Sequence, residues 1–225
     1  MPCNASCVAS LLVVSAALFP VALDAAECKP VYKTNSQGVV HTACKPKNDK
    51  CKITASGLTD AKKAEFLKAH NDFRMKVAKG ELPSFPKAAA MLTLAWDDEL
   101  ANVAQALADQ CTKSNGALEH DKPEERFTAK YKSVGQNVEW DGASATTPDV
   151  EVTTAVTEWF DGYKKFKVAD LKKFATQAEK VAEHFTQVIW AATESVGCGF
   201  TQYTLDGDTN DKRFQKLYVC NYGPA

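Results

Sequence analysis

Cysteine, histidine and serine are the residues of this chain whose chemistry could extend beyond packing. Its eight cysteines could form disulfides or bind zinc, and no pair has the close CxxC spacing that zinc sites use. With Cys3 and Cys7 set aside in an N-terminal leader, Cys28, Cys44, Cys51, Cys111, Cys198 and Cys220 remain as an even set. That set points to three disulfides in an oxidising compartment, with 15 connectivities open to six cysteines. His120, in LEHD, and His184, in EHFTQVIW, have side chains able to bind a metal, yet isolated histidines are ordinarily polar or packed residues. No serine sits in a Gly-x-Ser-x-Gly elbow, and Ser133 and Ser195 read as loop hydrogen-bonders. No catalytic residue is assigned, and the chain is read as a non-enzyme.

Composition narrows the partners. The 225 residues carry a formal net charge of −1, with a sequence pI near 6.4, so there is no basic excess to attract nucleic acid. Residues 8–22 (VASLLVVSAALFPVA) are uncharged and lead to Ala25-Ala26, the pattern of a secretory leader over residues 1–26. The run is too short for a stable membrane span. Residues 27–56 hold three cysteines among Lys, Pro, Asn and Ser, with no sustained apolar period, and read as an extended, disulfide-stapled N-terminal segment. Residues 57–225 form the main domain.

Within that domain, Thr59 is an N-cap for a first helix over Ala61–Lys79, which places Phe66, His70, Phe73 and Val77 on one face and ends at Gly80. A second helix runs from about Asp97 to Cys111, with Trp96, Leu100, Val103, Ala104, Leu107 and Cys111 at helical spacing. A third, opened by Pro148, turns Val152, Ala155, Val156, Trp159 and Phe160 inward, and Gly162 loosens its end. VGCGFTQYTL and RFQKLYVCNY are β-leaning runs separated by a segment containing Asp206-Gly207, which suits a hairpin. Cys198 and Cys220 lie symmetrically about that turn, so a regular hairpin pairs them across the strands. Helices followed by strands predict an α+β protein, a three-layer α-β-α sandwich.

Four segments, in order, resemble the signatures of the CAP superfamily, the cysteine-rich secretory, antigen 5 and pathogenesis-related proteins. They are His70-Asn71-Asp72-Phe73-Arg74 (HNxxR), Gly135-Gln136-Asn137 (G[EQ]N), EHFTQVIWAAT from Glu183 to Thr193, and LYVCNYGP from Leu217 to Pro224. Within the superfamily the chain looks most like single-domain nematode venom allergen-like or activation-associated secreted proteins. It stops at Ala225, where many relatives continue into a cysteine-rich tail, so a channel-blocking module is not expected. Comparison with relatives also implies Cys28 with Cys44 and Cys51 with Cys111, since Cys111 lacks the later partner some of them supply.

The resemblance implies a cleft of two histidines and two acids. The matching histidines are His120 and His184, but the acidic positions hold Gln136 and Gly162, the latter beside Asp161. An amide can hydrogen-bond an imidazole, but it neither compensates a dication nor acts as a base. No cofactor is required; Zn2+ or another divalent cation would be held by the two histidines, Gln136 and water, with less charge compensation than a carboxylate gives. Glu119, Glu139, Asp161 and Glu183 are the other acids near these motifs in sequence.

The resemblance further implies lipid. Relatives carry sterol through a loop that matches Tyr163 to Val181, where Tyr163, Phe166, Leu171 and Phe174 stand among lysines. They hold fatty acid between two helices, for which Phe66, Phe73, Val77, Val152, Val156 and Phe160 are the matching walls, equally readable as core. The expectation is a secreted sterol- or fatty-acid-binding protein acting as an immunomodulatory effector at a host-parasite interface. A protein-binding effector engaging a host receptor or plasma factor is the alternative, and a divalent-metal-dependent hydrolase the third.

Overall fold

The computed structural model describes residues 28–33, 38–111, 113–114, 117–145, 150–166, 168, 176–209 and 213–225. The leader, Pro148, Leu171 and Phe174 lie outside the described residues. The longer helices among the described residues are α1 (Asp60–Lys79), α2 (Asp98–Ala108), α3 (Val152–Asp161) and α4 (Thr176–Val188). The strands of the main sheet are β1 (Cys51–Ser56), β2 (Ala95–Trp96), β3 (Gly135–Ala143), β4 (Ser195–Leu205) and β5 (Phe214–Gly223).

Local chemistry sets the helix ends. Thr59 accepts a hydrogen bond from the Lys62 amide at 3.3 Å, and Gly80 closes α1 in the left-handed region at φ 76°. Asp97 caps α2 through the Leu100 amide at 2.8 Å. This second helix stops at Ala108 rather than Cys111, because Asp109 to Cys111 form a closing turn and Cys111 takes φ 55°, within a disulfide to Cys51. The third helix starts at Val152, and all five residues expected to face inward are buried.

The sheet order is β1-β4-β5-β3, antiparallel throughout that path, with β2 running parallel to the start of β4. The hairpin register sets Cys198 opposite Cys220, and the two form a disulfide, as do Cys28–Cys44 and Cys51–Cys111. Alternation along β5 divides the core into two layers. Tyr218, Cys220 and Tyr222 pack with Phe66, Trp159, Phe160 and Phe185 from α1, α3 and α4, whereas Leu217 and Val219 pack with Ala104, Leu107 and Ala108 of α2. The result is the expected α-β-α sandwich, with α2 alone on one face.

The α2 backbone lies directly on β4. A Cβ at Gly197 would come within 2.2 Å of the Ala101 nitrogen, and one at Gly199 within 2.5 Å of Gln105 Cα, so only glycine admits this approach. The N-terminal segment is more integrated than its composition suggests. Its last residues form β1, an edge strand on β4, while Tyr32, Ala43 and Val103 make a small cluster of their own. That cluster braces the loop carrying His120: Thr42 donates to Asp121 Oδ2 and His41 Nε2 to the Phe127 carbonyl at 2.8 Å.

Candidate functional site

The His, Asn and Arg of the HNxxR motif turn inward. His70 Nδ1 donates to the Phe66 carbonyl at 2.8 Å, which leaves Nε2 to accept from the Tyr222 hydroxyl at 2.8 Å. Asn137 donates to Tyr222 Oη at 3.2 Å and to the His184 carbonyl at 3.0 Å, joining α1, β5, β3 and α4 in one buried chain of bonds. Burial, chiefly, lowers the His70 pKa to about 4, with Arg74 adding to the effect, so the ring is neutral. Arg74 is 1% exposed and donates to the carbonyls of Leu92, Val188, Trp190 and Thr193. Asn71 exchanges two bonds with the Leu94 backbone. These motif residues hold the fold together; none points into a cleft.

His120 and His184 do approach one another, their ring centroids 6.3 Å apart. Gln136, from β3, accepts from His120 Nδ1 at 2.8 Å, so the His120 Nε2 lone pair is free of that contact. The Gln136 amide nitrogen donates to Asp121 Oδ1 at 2.9 Å and to Asn221 Oδ1 at 3.0 Å. Asp121 is buried and also accepts from Arg126 at 2.9 Å and from Thr42. Sequence reasoning passed over Asp121, although it follows His120 directly in LEHD.

His184 sits beyond a break in helical geometry at Ala182, with φ −143° and ψ 20°. Burial, and then the neighbouring His120, lower its pKa to about 4. A pocket of about 320 Å³ beside it is lined by Glu158, Asp161, Glu183, Lys164 and Lys165. Asp161 is paired with Lys164 at 2.6 Å, Glu183 and Glu119 are exposed, and burial raises the Glu139 pKa to about 7. At Gly162 a Cβ would stand 3.1 Å from Phe185 Cβ, so any side chain there requires Phe185 to yield slightly. Among the described residues no group of three or more His, Cys, Asp or Glu is placed to hold a metal ion. His120 and His184 supply two imidazoles, short of the three or four ligands of a firm zinc site.

Of the four loop residues expected to meet sterol, two are described. Phe166 is buried against Phe85 and Phe185, and Tyr163 is half-buried beside Phe160, so both belong to the core's aromatic cluster. Of the six helix-groove residues, Phe66, Val77, Val152, Val156 and Phe160 are buried. Phe73 is different. It stacks on Phe160 at 4.1 Å and lines a mostly apolar groove of about 460 Å³ along α1, with Ala69, Met75, Lys68, Lys76, Lys79 and, from α3, Thr153. The Lys76 ammonium lies 5.2 Å from the Phe73 ring centroid.

Comparison with known proteins places these features in context. Residues 67–222 match the profile of the Cysteine-rich secretory protein family, CAP. A CRISP/Allergen/PR-1 protein of Trittame loki is 39% identical over 201 residues; the alignment takes in 88% of this chain but 46% of that protein, so the chain spans less than half of its length. Venom allergen 5 of Vespa mandarinia is 38% identical over 205 residues, covering 86% of this chain and 92% of that one. Among solved structures, a nematode secreted protein, NaASP2 with Zn2+, superposes with a TM-score of 0.60 at 27% identity, over 75% of this chain and 82% of that chain.

Proposed function

The chain belongs to the cysteine-rich secretory protein (CAP) family, and on that premise we propose that it acts outside the cell by binding lipid, with a fatty acid lying in the α1 groove. The groove carries the reading. Its volume of about 460 Å³ lies within the range of small-ligand sites, its walls are mostly apolar, and Phe73 on Phe160 gives it an aromatic floor. At its rim Lys68 pairs with Asp72 and Lys79 with Glu81, so Lys76 is the ammonium that would meet a carboxylate headgroup while the acyl chain covers Ala69 and Phe73.

Three disulfides support an extracellular site of action, and among the described residues no helix is long and apolar enough to cross a membrane. Binding without chemical transformation suits a site in which an amide, Gln136, meets His120 where a carboxylate could act as a base. An immunomodulatory role at a host surface would follow from taking up or delivering such a lipid. A sterol would use the 163–181 loop, and since Phe166 is packed inside, its contacts would come from Leu171 and Phe174.

Titration of the oxidised protein with labelled palmitate and cholesterol tests this reading. Saturable palmitate binding, weakened at least about tenfold by Ala69→Trp, which fills the groove, is the expected result, with the unfolding midpoint unchanged. Cholesterol binding weakened by Leu171→Ala/Phe174→Ala would place a second lipid at the loop. No binding of either lipid by folded protein would overturn the reading and leave a receptor-binding effector as the better one.

A further inference from the structure

Away from the α1 groove, the buried Asp121 carboxylate accepts three side-chain hydrogen bonds, and its consequence falls on position 136. The Asp121 side chain is fully buried, with Oδ1 accepting from Arg126 and from Gln136 Nε2, and Oδ2 from Thr42. Gln136 Nε2 faces a second acceptor, Asn221 Oδ1, at 3.0 Å, while its Oε1 faces the His120 N–H. The side chain is therefore read correctly in only one way: two acceptors call for an N–H2 group, and one donor calls for an oxygen. A glutamate here would satisfy His120 but would set its other oxygen against a buried carboxylate and an amide oxygen.

We propose that Asp121 selects an amide at position 136, and that this choice keeps a divalent cation from being held firmly between His120 and His184. The charge that could have faced the histidines sits instead on Asp121, behind Gln136 and neutralised by Arg126. Gln136 is a positioning residue: its Oε1 calls for a hydrogen on His120 Nδ1, which leaves Nε2 away from that bond. The absent carboxylate is thus one half of a matched pair of residues from two separate segments. The inference is independent of whether lipid occupies the α1 groove.

Four proteins test it by thermal unfolding and by calorimetric titration with zinc chloride: the natural chain, Gln136→Met, Gln136→Glu and Asp121→Asn/Gln136→Glu. Gln136→Met loses the bonds alone, whereas Gln136→Glu adds repulsion, so the glutamate variant should melt lowest and should not gain zinc affinity. The double variant moves the single negative charge next to His120. It should recover at least half of the melting-temperature loss and bind zinc at least about tenfold more tightly than the natural chain.

Gln136→Glu as stable as Gln136→Met, or itself gaining tenfold in zinc affinity, would overturn the proposal. So would a double variant that regains stability without gaining zinc. Should the position-136 variants fail to fold, nitrogen-15 spectra of the natural chain decide: His120 should carry a hydrogen on Nδ1 and be unmoved by about 0.1 mM zinc chloride. Zinc-dependent shifts of the His120 ring at that concentration would refute it.

Discussion

The two faces of α1 carry different work. One presents Phe66, His70, Arg74 and Val77 to the core, each buried, with every hydrogen-bonding atom of the Arg74 guanidinium aimed at backbone carbonyls. The other presents Ala69, Phe73 and Lys76 to an open groove, where Phe73 stacks on Phe160 and the rim holds the Lys68–Asp72 pair and a Thr153–Glu65 hydrogen bond. A helix can therefore hold a motif that looks chemical, with His, Asn and Arg in register, on its structural face while the surface proposed for the ligand lies around the other side. Hydrogen-bonding side chains are needed on the inner face because α1, the 88–94 segment and the 188–193 turn meet there without a common sheet. Arg74 and Asn71 supply side-chain donors to these carbonyls, of which Trp190 also accepts from the Thr193 amide.

The difference is broken most severely at Arg74. Arg74→Ala leaves four carbonyls short of their donor and should lower stability by about 3 kcal/mol or more, measured by urea unfolding. Arg74→Lys should recover little, since an ammonium cannot span carbonyls arranged for a planar fork. If Arg74→Ala kept its stability and lost palmitate instead, the division between the faces would be wrong.

Acid acts on the same face. His70 is buried neutral with a pKa near 4, below its ordinary value near 6.5, so the unfolded chain binds the proton more readily. Stability from this residue is full above pH 6.5 and is lost as pH falls toward 4, by roughly 3 kcal/mol. His184, also lowered to about 4, adds in the same direction. A urea midpoint that did not fall between pH 7 and pH 4.5, or an NMR titration of His70 with an ordinary midpoint, would count against the neutral buried pair with Tyr222.

On the outer face the expected changes in stability are smaller and those in binding larger. Phe73→Ala removes the stack on Phe160 from a half-buried position, costing about 1–2 kcal/mol, while palmitate affinity should drop about tenfold as the groove loses its floor. Equal binding by this variant would move the ligand elsewhere.

How much of this could be read beforehand follows the range of the interactions. The caps Thr59 and Gly80, the inward stripe of α3 and the Cys198–Cys220 register depend on neighbours in sequence or on one hairpin, and were legible. The inner face of α1 was half legible: Phe66, His70 and Val77 lie at helical spacing, but a buried arginine gives no hydrophobic signal, and Arg74 stood out only as a motif letter. Asp121 was missed because its importance comes from Thr42, Arg126 and Gln136, which converge on it from three segments. The strand β1 was missed because an edge strand with one covered side, in a lysine-rich segment, lacks an apolar period. Phe166 shows the reverse case, an aromatic in a lysine-rich loop that reads as a surface anchor until Phe85 and Phe185 are seen to cover it.

The smallest effect provides the control for the rest. Thr59 touches neither face; its hydroxyl caps the first turn through the Lys62 amide, at the long end of hydrogen-bond distances. Thr59→Ala should therefore cost about 0.5–1 kcal/mol in urea unfolding. Because the groove is lined from Glu65 onward, palmitate affinity should stay unchanged. A loss of binding in Thr59→Ala would mean that fraying of α1 reaches the ligand surface, and the losses seen in Phe73→Ala could then be read as helix stability. Unchanged binding, beside a weakened Phe73→Ala, would assign the groove's affinity to its own side chains.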